Sequence, residues 1–331
     1  MEWFLLFILS KVLFFELYPF RFLKVKGCPK REGEKEKKHT RDFVVHVHTM
    51  FSYDSLGKPE EVEREAKLLG VEKVFITDHD REDIEKLLPP SEVLVPGYEY
   101  QDGEYGRLLK LQMGKYTVIA HPNNDKKPLY RWRGKFGEGF YYELIDLKDV
   151  LYAAPWWLKL YFVIRFLILY PLRGFRALDY FPRLIPLARW IGRYIERTDG
   201  KLPIIGGADH HVKLSFWEKP KRYFSFPRYG WSFYILRNRA FGDIDKALER
   251  GNFYISLCDG KVEIEGDRVL LKERELLFLH YGDGRVEVND CGKLDRNATV
   301  AVVCRYLFRK GDLYFGLTPV AVFKPDLIQP E

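Results

Sequence analysis

Apolar and polar positions divide the chain into stretches of different character. Residues 1–23 are almost wholly apolar and aromatic, broken by Ser10, Lys11, Glu16, Pro19 and Arg21. Residues 27–41, GCPKREGEKEKKHTR, read as a polar linker. From Asp42 onward, short apolar runs alternate with amphipathic segments. This pattern predicts strands over 43–48, 73–77, 93–96 (running on into GYEY), 107–112 and 116–120, and helices over 58–70 and 83–88. In the first of these helices Pro59 suits a first turn, acids crowd the N-terminal half and Gly70 ends it. Residues 151–195 break the rhythm. LYAAPWWLKLYFVIRFLILYPLRGF is too apolar for an ordinary surface helix, yet Lys159, Arg165 and Arg173 punctuate it. Strands are predicted again over 203–208 and 232–236, with a helix over 243–250. From residue 260 short alternating runs separated by turns predict an all-β domain, a small sandwich. Repeated strand–helix alternation implies a parallel sheet or barrel with its chemistry at the strand C-termini.

Composition sharpens this division. A chain of 331 residues with 47% hydrophobic and 31% charged residues is not disordered, and it can hold two domains or one large barrel with an appendix. The expected organisation is a hydrophobic N-terminal helix (1–26), a linker (27–41), a catalytic domain (42–258) with a hydrophobic, basic insertion at 151–201, and a β domain (259–331). The N-terminal run has no cationic n-region and no small-residue cleavage site, so a secretory signal peptide is not expected. A spanning helix needs about 20 apolar residues, and Lys11 and Glu16 are costly at a bilayer centre. The segment therefore reads as a membrane anchor or an interfacial helix. The four cysteines show no Cys-x-x-Cys spacing and read as free thiols of a reducing compartment.

The net charge of +7 is uneven. Residues 24–41 carry 8 Lys/Arg against 3 Glu, and residues 151–201 carry 9 against 3 acids. Both basic segments adjoin very apolar sequence, a combination suited to an anionic membrane surface. Cations after the N-terminal run would stay inside, placing the large domain at the cytoplasmic face of the membrane.

Candidate chemistry sits at the predicted strand ends. His46-Val47-His48 closes the first strand, where alternation would turn both imidazoles to one face, and histidine is the commonest metal ligand. Asp54 follows, then Thr77-Asp78-His79-Asp80, Glu99, His121-Pro122 and Asp209-His210-His211. Six of the eight histidines lie in these groups; His39 and His280 lie outside them. Scattered surface or core histidines would not concentrate in this way, and the set implies a multi-metal hydrolase.

The run HVHTMFSYDS, a helix, VFITDHD, GYE, IAHP and GADHH resembles, in order and spacing, the motifs of the polymerase and histidinol phosphatase (PHP) superfamily, over residues 42 to about 255. The resemblance implies a distorted TIM-like (β/α)7 barrel, a C-terminal β domain, and hydrolysis of phosphate esters at two or three divalent transition metal ions. It places His46 and His48 on the first metal, Glu99 as a bridge and Asp209 completing that site. Asp54, His79 and His211 would hold the second metal, and His121 would serve a third. Such relatives supply a further histidine between the glutamate and His-Pro; this chain has Arg107 near that place, and arginine cannot ligate a metal. A two-metal centre follows as an alternative.

Mixed histidine and carboxylate ligands suit Zn²⁺, Mn²⁺ or Fe²⁺. Asp80 and His210 are candidate catalytic side chains, although His210 also fits a structural role. Asp78 is expected to orient a ligand histidine. Arg107, Lys110, Arg131 and Arg133 are candidate phosphate clamps. The function expected is a metal-dependent phosphoesterase acting on an amphiphilic or lipid-linked phosphate at the membrane face. The alternatives are a soluble nucleotide or oligonucleotide phosphoesterase, and a non-catalytic membrane scaffold whose metals hold the fold.

Overall fold

The computed structural model describes residues 2–27, 40–137, 139–213, 215–217, 222–223 and 226–329. His39, Cys28 and nearly all of the linker lie outside the described residues. The chain opens with Glu2–Leu17 (α1). Then follow Thr40–Val47 (β1), Pro59–Leu69 (α2), Val71–Ile76 (β2), Leu94–Asp102 (β3), Gly106–Leu111 (β4), Tyr116–Ile119 (β5) and Phe140–Asp146 (β6). The insertion supplies Leu147–Ala153 (α3), Trp156–Arg173 (α4), a 3₁₀ stretch over Gly174–Leu184, and Leu187–Thr198 (α5). Ile204–His210 (β7), Tyr229–Ile235 (α6), Leu236–Phe241 (β8), Ile244–Arg250 (α7) and Phe253–Leu257 (β9) come next. The tail holds Glu275–His280 (β10), Val286–Asn289 (β11), Val300–Arg305 (β12) and Thr318–Phe323 (β13).

Strands β1 to β7 pair in sequence order, and β7 returns to pair in parallel with β1 through Val45–Gly207 and Val47–His210. The result is a closed seven-stranded barrel. It departs from full (β/α)7 alternation at β3–β4–β5, which form an antiparallel meander. The connections 103–105 and 112–115 are too short for the crossover that a parallel pair requires. Inside the barrel Phe43, Val45 and Phe75 pack with Ile205 and Phe253, all fully or almost fully buried. Each such side chain contributes roughly 1.5–3 kcal/mol by leaving water.

The expected C-terminal sandwich is instead an extension of the barrel sheet. Strand β8 pairs antiparallel with β1, β9 with β8, β13 with β9, and β12, β10 and β11 follow outward. The main strands of the tail therefore extend the sheet beside β1, while Ile264–Glu265 and Arg268–Val269 form a separate two-stranded sheet whose Ile264 and Val269 share a core with Leu277, Val303 and Phe323. Buried Asp42 fixes this junction, lying 2.8 Å from Arg237 Nη1 and 3.3 Å from Arg239 Nε. Residues 229–235, read partly as strand, are helix α6. Tyr229 and Phe233 lie one turn apart and both are buried, a spacing of helix rather than strand.

The N-terminal segment is tied to the fold. Glu16 accepts hydrogen bonds from Tyr161 and Arg165 of α4, each at 2.7 Å, and Phe15 stacks on Tyr161 at 4.4 Å. Phe20–Phe22 pairs with Leu313–Phe315, and Val25–Lys26 with β11. The insertion crosses between parallel strands β6 and β7, and its α5 buries Trp190, Ile191 and Tyr194 in the largest apolar core. No helix among the described residues is long and apolar enough to cross a membrane. Cys258 and Cys304 are free thiols, but Cys291 is disulfide-bonded, against the expectation from its spacing. Disulfides persist in oxidising compartments and inside hyperthermophiles.

Candidate metal centre

The C-terminal ends of β1, β2, β5, β6 and β7 converge around Glu99 in the middle of β3, and the loops after β1 and β2 bring Asp54 and His79 to the same point. His46 and His48 enter from β1, as the sequence predicts, but not by simple alternation. His46 has φ of 64°, and the β1 pairing shifts register between Val44 and Val47. His121 (φ 52°) and Asp209 (φ 38°) are also left-handed. Such residues cost on the order of 1–3 kcal/mol each and collect at functional sites.

Three groups of ligand atoms result, each within 4.8 Å: His48, Asp54, His79 and His211; His46, His121, Asp146 and Asp209; and His46, His48 and Glu99. Glu99 lies at the middle. Its Oε2 is 3.2 Å from His46 Nε2, 3.3 Å from His48 Nε2 and 3.2 Å from His79 Nδ1. Its Oε1 is 3.2 Å from His121 Nε2. All eight side chains named above as metal ligands thus meet in one place. Their grouping differs from that of the resemblance: His121 joins His46 and Asp209, and Asp146 completes that set.

Electrostatics favour a cation here. Asp54, Glu99, Glu143, Asp146, Asp149 and Asp209 face the centre or its edge, against the cations Arg107, Lys148 and, 3.9 Å from Asp54, Lys213. Burial pushes the His48 imidazole down to about 3, with His211 adding to the effect, so its nitrogens stay free to donate lone pairs. Burial opposes charge on His46 too, but Glu143, Asp209 and Glu99 outweigh it and hold its pKa well above the ordinary histidine value. Burial likewise opposes the charged form of Asp209, yet Lys148, His211 and His46 hold it ionised. Both nitrogens of His48, one nitrogen each of His79, His121 and His211, Asp146 Oδ2 and Asp209 Oδ1 are buried without a hydrogen-bond partner. Buried polar atoms are normally satisfied, and divalent metals would satisfy this set.

Four residues at the centre have no counterpart in the sequence reading: Glu143, Asp146, Lys148 and Asp149, all within ELIDLKD. Glu143 Oε1 is 2.7 Å from His46 Nδ1, and its Oε2 accepts the His121 backbone N–H at 2.9 Å. Lys148 Nζ is 2.9 Å from Asp209 Oδ2. Asp149 accepts from Asn124 at 2.7 Å, and Asp146 caps α3 by accepting the Asp149 N–H. The available signal was a pair of acids in an apolar strand followed by a helix start.

The other candidates are placed differently. His210 turns away to α6, with Nδ1 2.6 Å from the Ser232 hydroxyl and Nε2 3.0 Å from the Pro227 carbonyl, and burial lowers its pKa to about 3. Asp80 is exposed and joins none of the groups. Asp78 touches no ligand ring; it accepts both the N–H and the hydroxyl of Thr49 at 2.5 Å, fixing the chain just after His48. Arg107 lies in the site, 3.0 Å from Glu99 Oε1 and stacked 3.7 Å over Tyr130. Lys110 alternates to the opposite face of β4 and donates to Thr117. Arg133 is exposed and donates to the Pro128 carbonyl, while Arg131 holds Asn124 and Asp125.

The chain matches no family model and no curated protein. Among solved structures it is similar to a two-domain protein from Bacteroides vulgatus containing a predicted PHP-like metal-dependent phosphoesterase. The identity is 12%, the TM-score 0.39, and the match covers 90% of this chain and 99% of that one. That likeness is slight.

Proposed function

We propose that this chain is a metal-dependent phosphoesterase that hydrolyses a phosphate ester at a centre of two or three divalent ions. The observation that carries the reading is the convergence of three ligand groups, the third of which shares His48 with the first and His46 with the second. Two groups with a common residue can hold neighbouring cations, and mixed imidazole and carboxylate donors suit Zn²⁺, Mn²⁺ or Fe²⁺. Such ions supply a water with its pKa lowered to about 7 and neutralise charge on the phosphoryl oxygens.

The protein's part is to position and to bind. Glu143 orients His46, and Asp78 orients the turn after His48 through Thr49. Arg107 and Lys148 are cations at the centre, and each could take a non-bridging phosphate oxygen. Lys148 lies on α3, which leads through Ala154 and Pro155 straight into apolar α4. That continuity supports an amphiphilic or lipid-linked phosphate, its headgroup at the metals and its apolar part along α4. A cytoplasmic membrane face belongs to the same reading.

Elemental analysis of the purified protein, with turnover of a panel of aryl phosphomonoesters and phosphodiesters and His48→Ala as control, tests the proposal. The expected result is bound transition metal and turnover that His48→Ala abolishes. Protein that holds metal yet is inert on the whole panel would return the non-catalytic scaffold reading. Preference for nucleotides would favour the soluble alternative.

A further inference from the structure

Helix α4 is apolar on both sides, and only one side is covered. Tyr161, Phe162 and Phe166 turn toward the protein. Trp156, Leu160, Ile164, Leu167, Ile168 and Leu172, which recur at intervals of three or four residues apart from the adjacent pair Leu167-Ile168, form a stripe that faces outward. Leu167 is 65% and Leu172 81% exposed. Two of the three cations within the helix are drawn off this stripe: Lys159 donates to the Leu151 carbonyl and Arg165 to Glu16, while Arg173 closes the helix at its end. Helix α1 lies against the same helix through Phe15 and Tyr18, which contact Trp157 and Tyr161, and its earlier turns carry Trp3, Phe7 and Leu13 into the open. Two helices in contact thus both leave large apolar side chains uncovered, far more than scattered surface hydrophobes would explain.

The border of this face identifies its occupant. Residues 151–178 hold four Lys/Arg and no acid. Lys11, Arg21, Arg173 and Arg176 are exposed around the helices, while Glu16 is engaged by Arg165. A second copy docking through the same patch would set these cations against one another, since an isologous contact meets itself. Anionic headgroups would complement them. Neither helix is long and apolar enough to cross a bilayer, and Trp3 and Trp156 have the amphipathic rings that favour the headgroup level.

We infer that α1 and α4 together form a monotopic docking face that lies in the headgroup layer of an anionic phospholipid bilayer. This rests on the packing of α1 and α4, not on the hydrolysis proposed above, and its test needs no turnover, so either can fail alone.

The test is flotation of the full chain with phosphatidylcholine vesicles, with and without phosphatidylglycerol. Wild type should float with the anionic vesicles and release as salt rises. Leu160→Ser/Leu167→Ser/Leu172→Ser should cut the bound fraction by about tenfold or more with its melting temperature retained. Arg173→Glu/Arg176→Glu, which keeps the apolar stripe, should lose the preference for anionic vesicles. Wild type that stays unbound, or variants that bind as wild type does, would overturn the inference. So would a wild-type dimer that ignores vesicles and that the serine variant makes monomeric, which would assign the face to a second copy.

Discussion

Glu143 holds two parts of the centre at once: one carboxylate oxygen is 2.7 Å from His46 Nδ1, and the other accepts the backbone N–H of His121 at 2.9 Å. Both residues carry left-handed backbone, so this one side chain from β6 braces two of the three left-handed candidate ligands. A glutamine could serve only one of them, because its amide nitrogen would face a second donor. Glu143→Gln should therefore weaken metal affinity by about 10–100-fold, read by competition with a chromophoric chelator, while circular dichroism stays unchanged. Affinity equal to wild type would reduce Glu143 to a packing role.

Metal removal should expose the strain of the empty cage. Buried, unpartnered imidazoles and carboxylates are costly, and a ligand that binds only the folded state stabilises it by about 2.7 kcal/mol at a hundred times its dissociation constant. Chelation should lower the thermal midpoint and abolish phosphoesterase turnover, and Mn²⁺ or Zn²⁺ should restore both. A midpoint indifferent to chelator would contradict a resident metal.

Arg107 occupies the place where the resemblance calls for another histidine. It is held by Glu99 and by the Tyr130 ring, so its guanidinium is already oriented. Loss of a charge-assisted hydrogen bond costs about 1.5–3 kcal/mol. Arg107→Ala should weaken inhibition by inorganic phosphate by roughly 10–100-fold while metal content stays near wild type. Unchanged inhibition would leave Arg107 as a tether for Glu99 alone.

The junction between barrel and tail depends on Asp42. Replacing it with alanine leaves Arg237 and Arg239, both buried, without their shared carboxylate. Breaking a buried ion pair in this way costs about 3–5 kcal/mol. Urea unfolding of Asp42→Ala should show that loss, with metal content unaffected in the folded protein.

Helix α1 should loosen in acid. Burial works to raise the pKa of Glu16, but hydrogen bonds from Tyr161 and Arg165 and the nearby arginines lower it overall. A carboxyl with a lowered folded value contributes stability that is complete above its unfolded value and fades as pH falls through the folded one. The protection of α1 amides against hydrogen exchange, relative to the unstructured rate at each pH, should therefore fall below the ordinary carboxylate range, and Glu16→Gln should remove that loss of protection. Protection in α1 that is flat across the acid range would show that the tie contributes nothing.

Much of the centre was legible in the sequence because its ligands close short apolar strands. His46, His48, His79, Glu99, His121, Asp209 and His211 each stand at or just beyond a hydrophobic run, where local pattern and turn chemistry are enough to mark a strand end. The sequence also marked the insertion and the N-terminal run as unusually apolar. What it could not supply was long-range: the register shift that rotates His46, the antiparallel meander of β3–β5, and the tail joining the barrel's own sheet. Each is set by pairing between residues far apart in the chain, which local periodicity does not encode. Asp146 and Glu143 were missed for the same reason. Acids in a strand read as surface until closure of the barrel buries them beside His46 and His121, and only that enclosure makes them part of the centre.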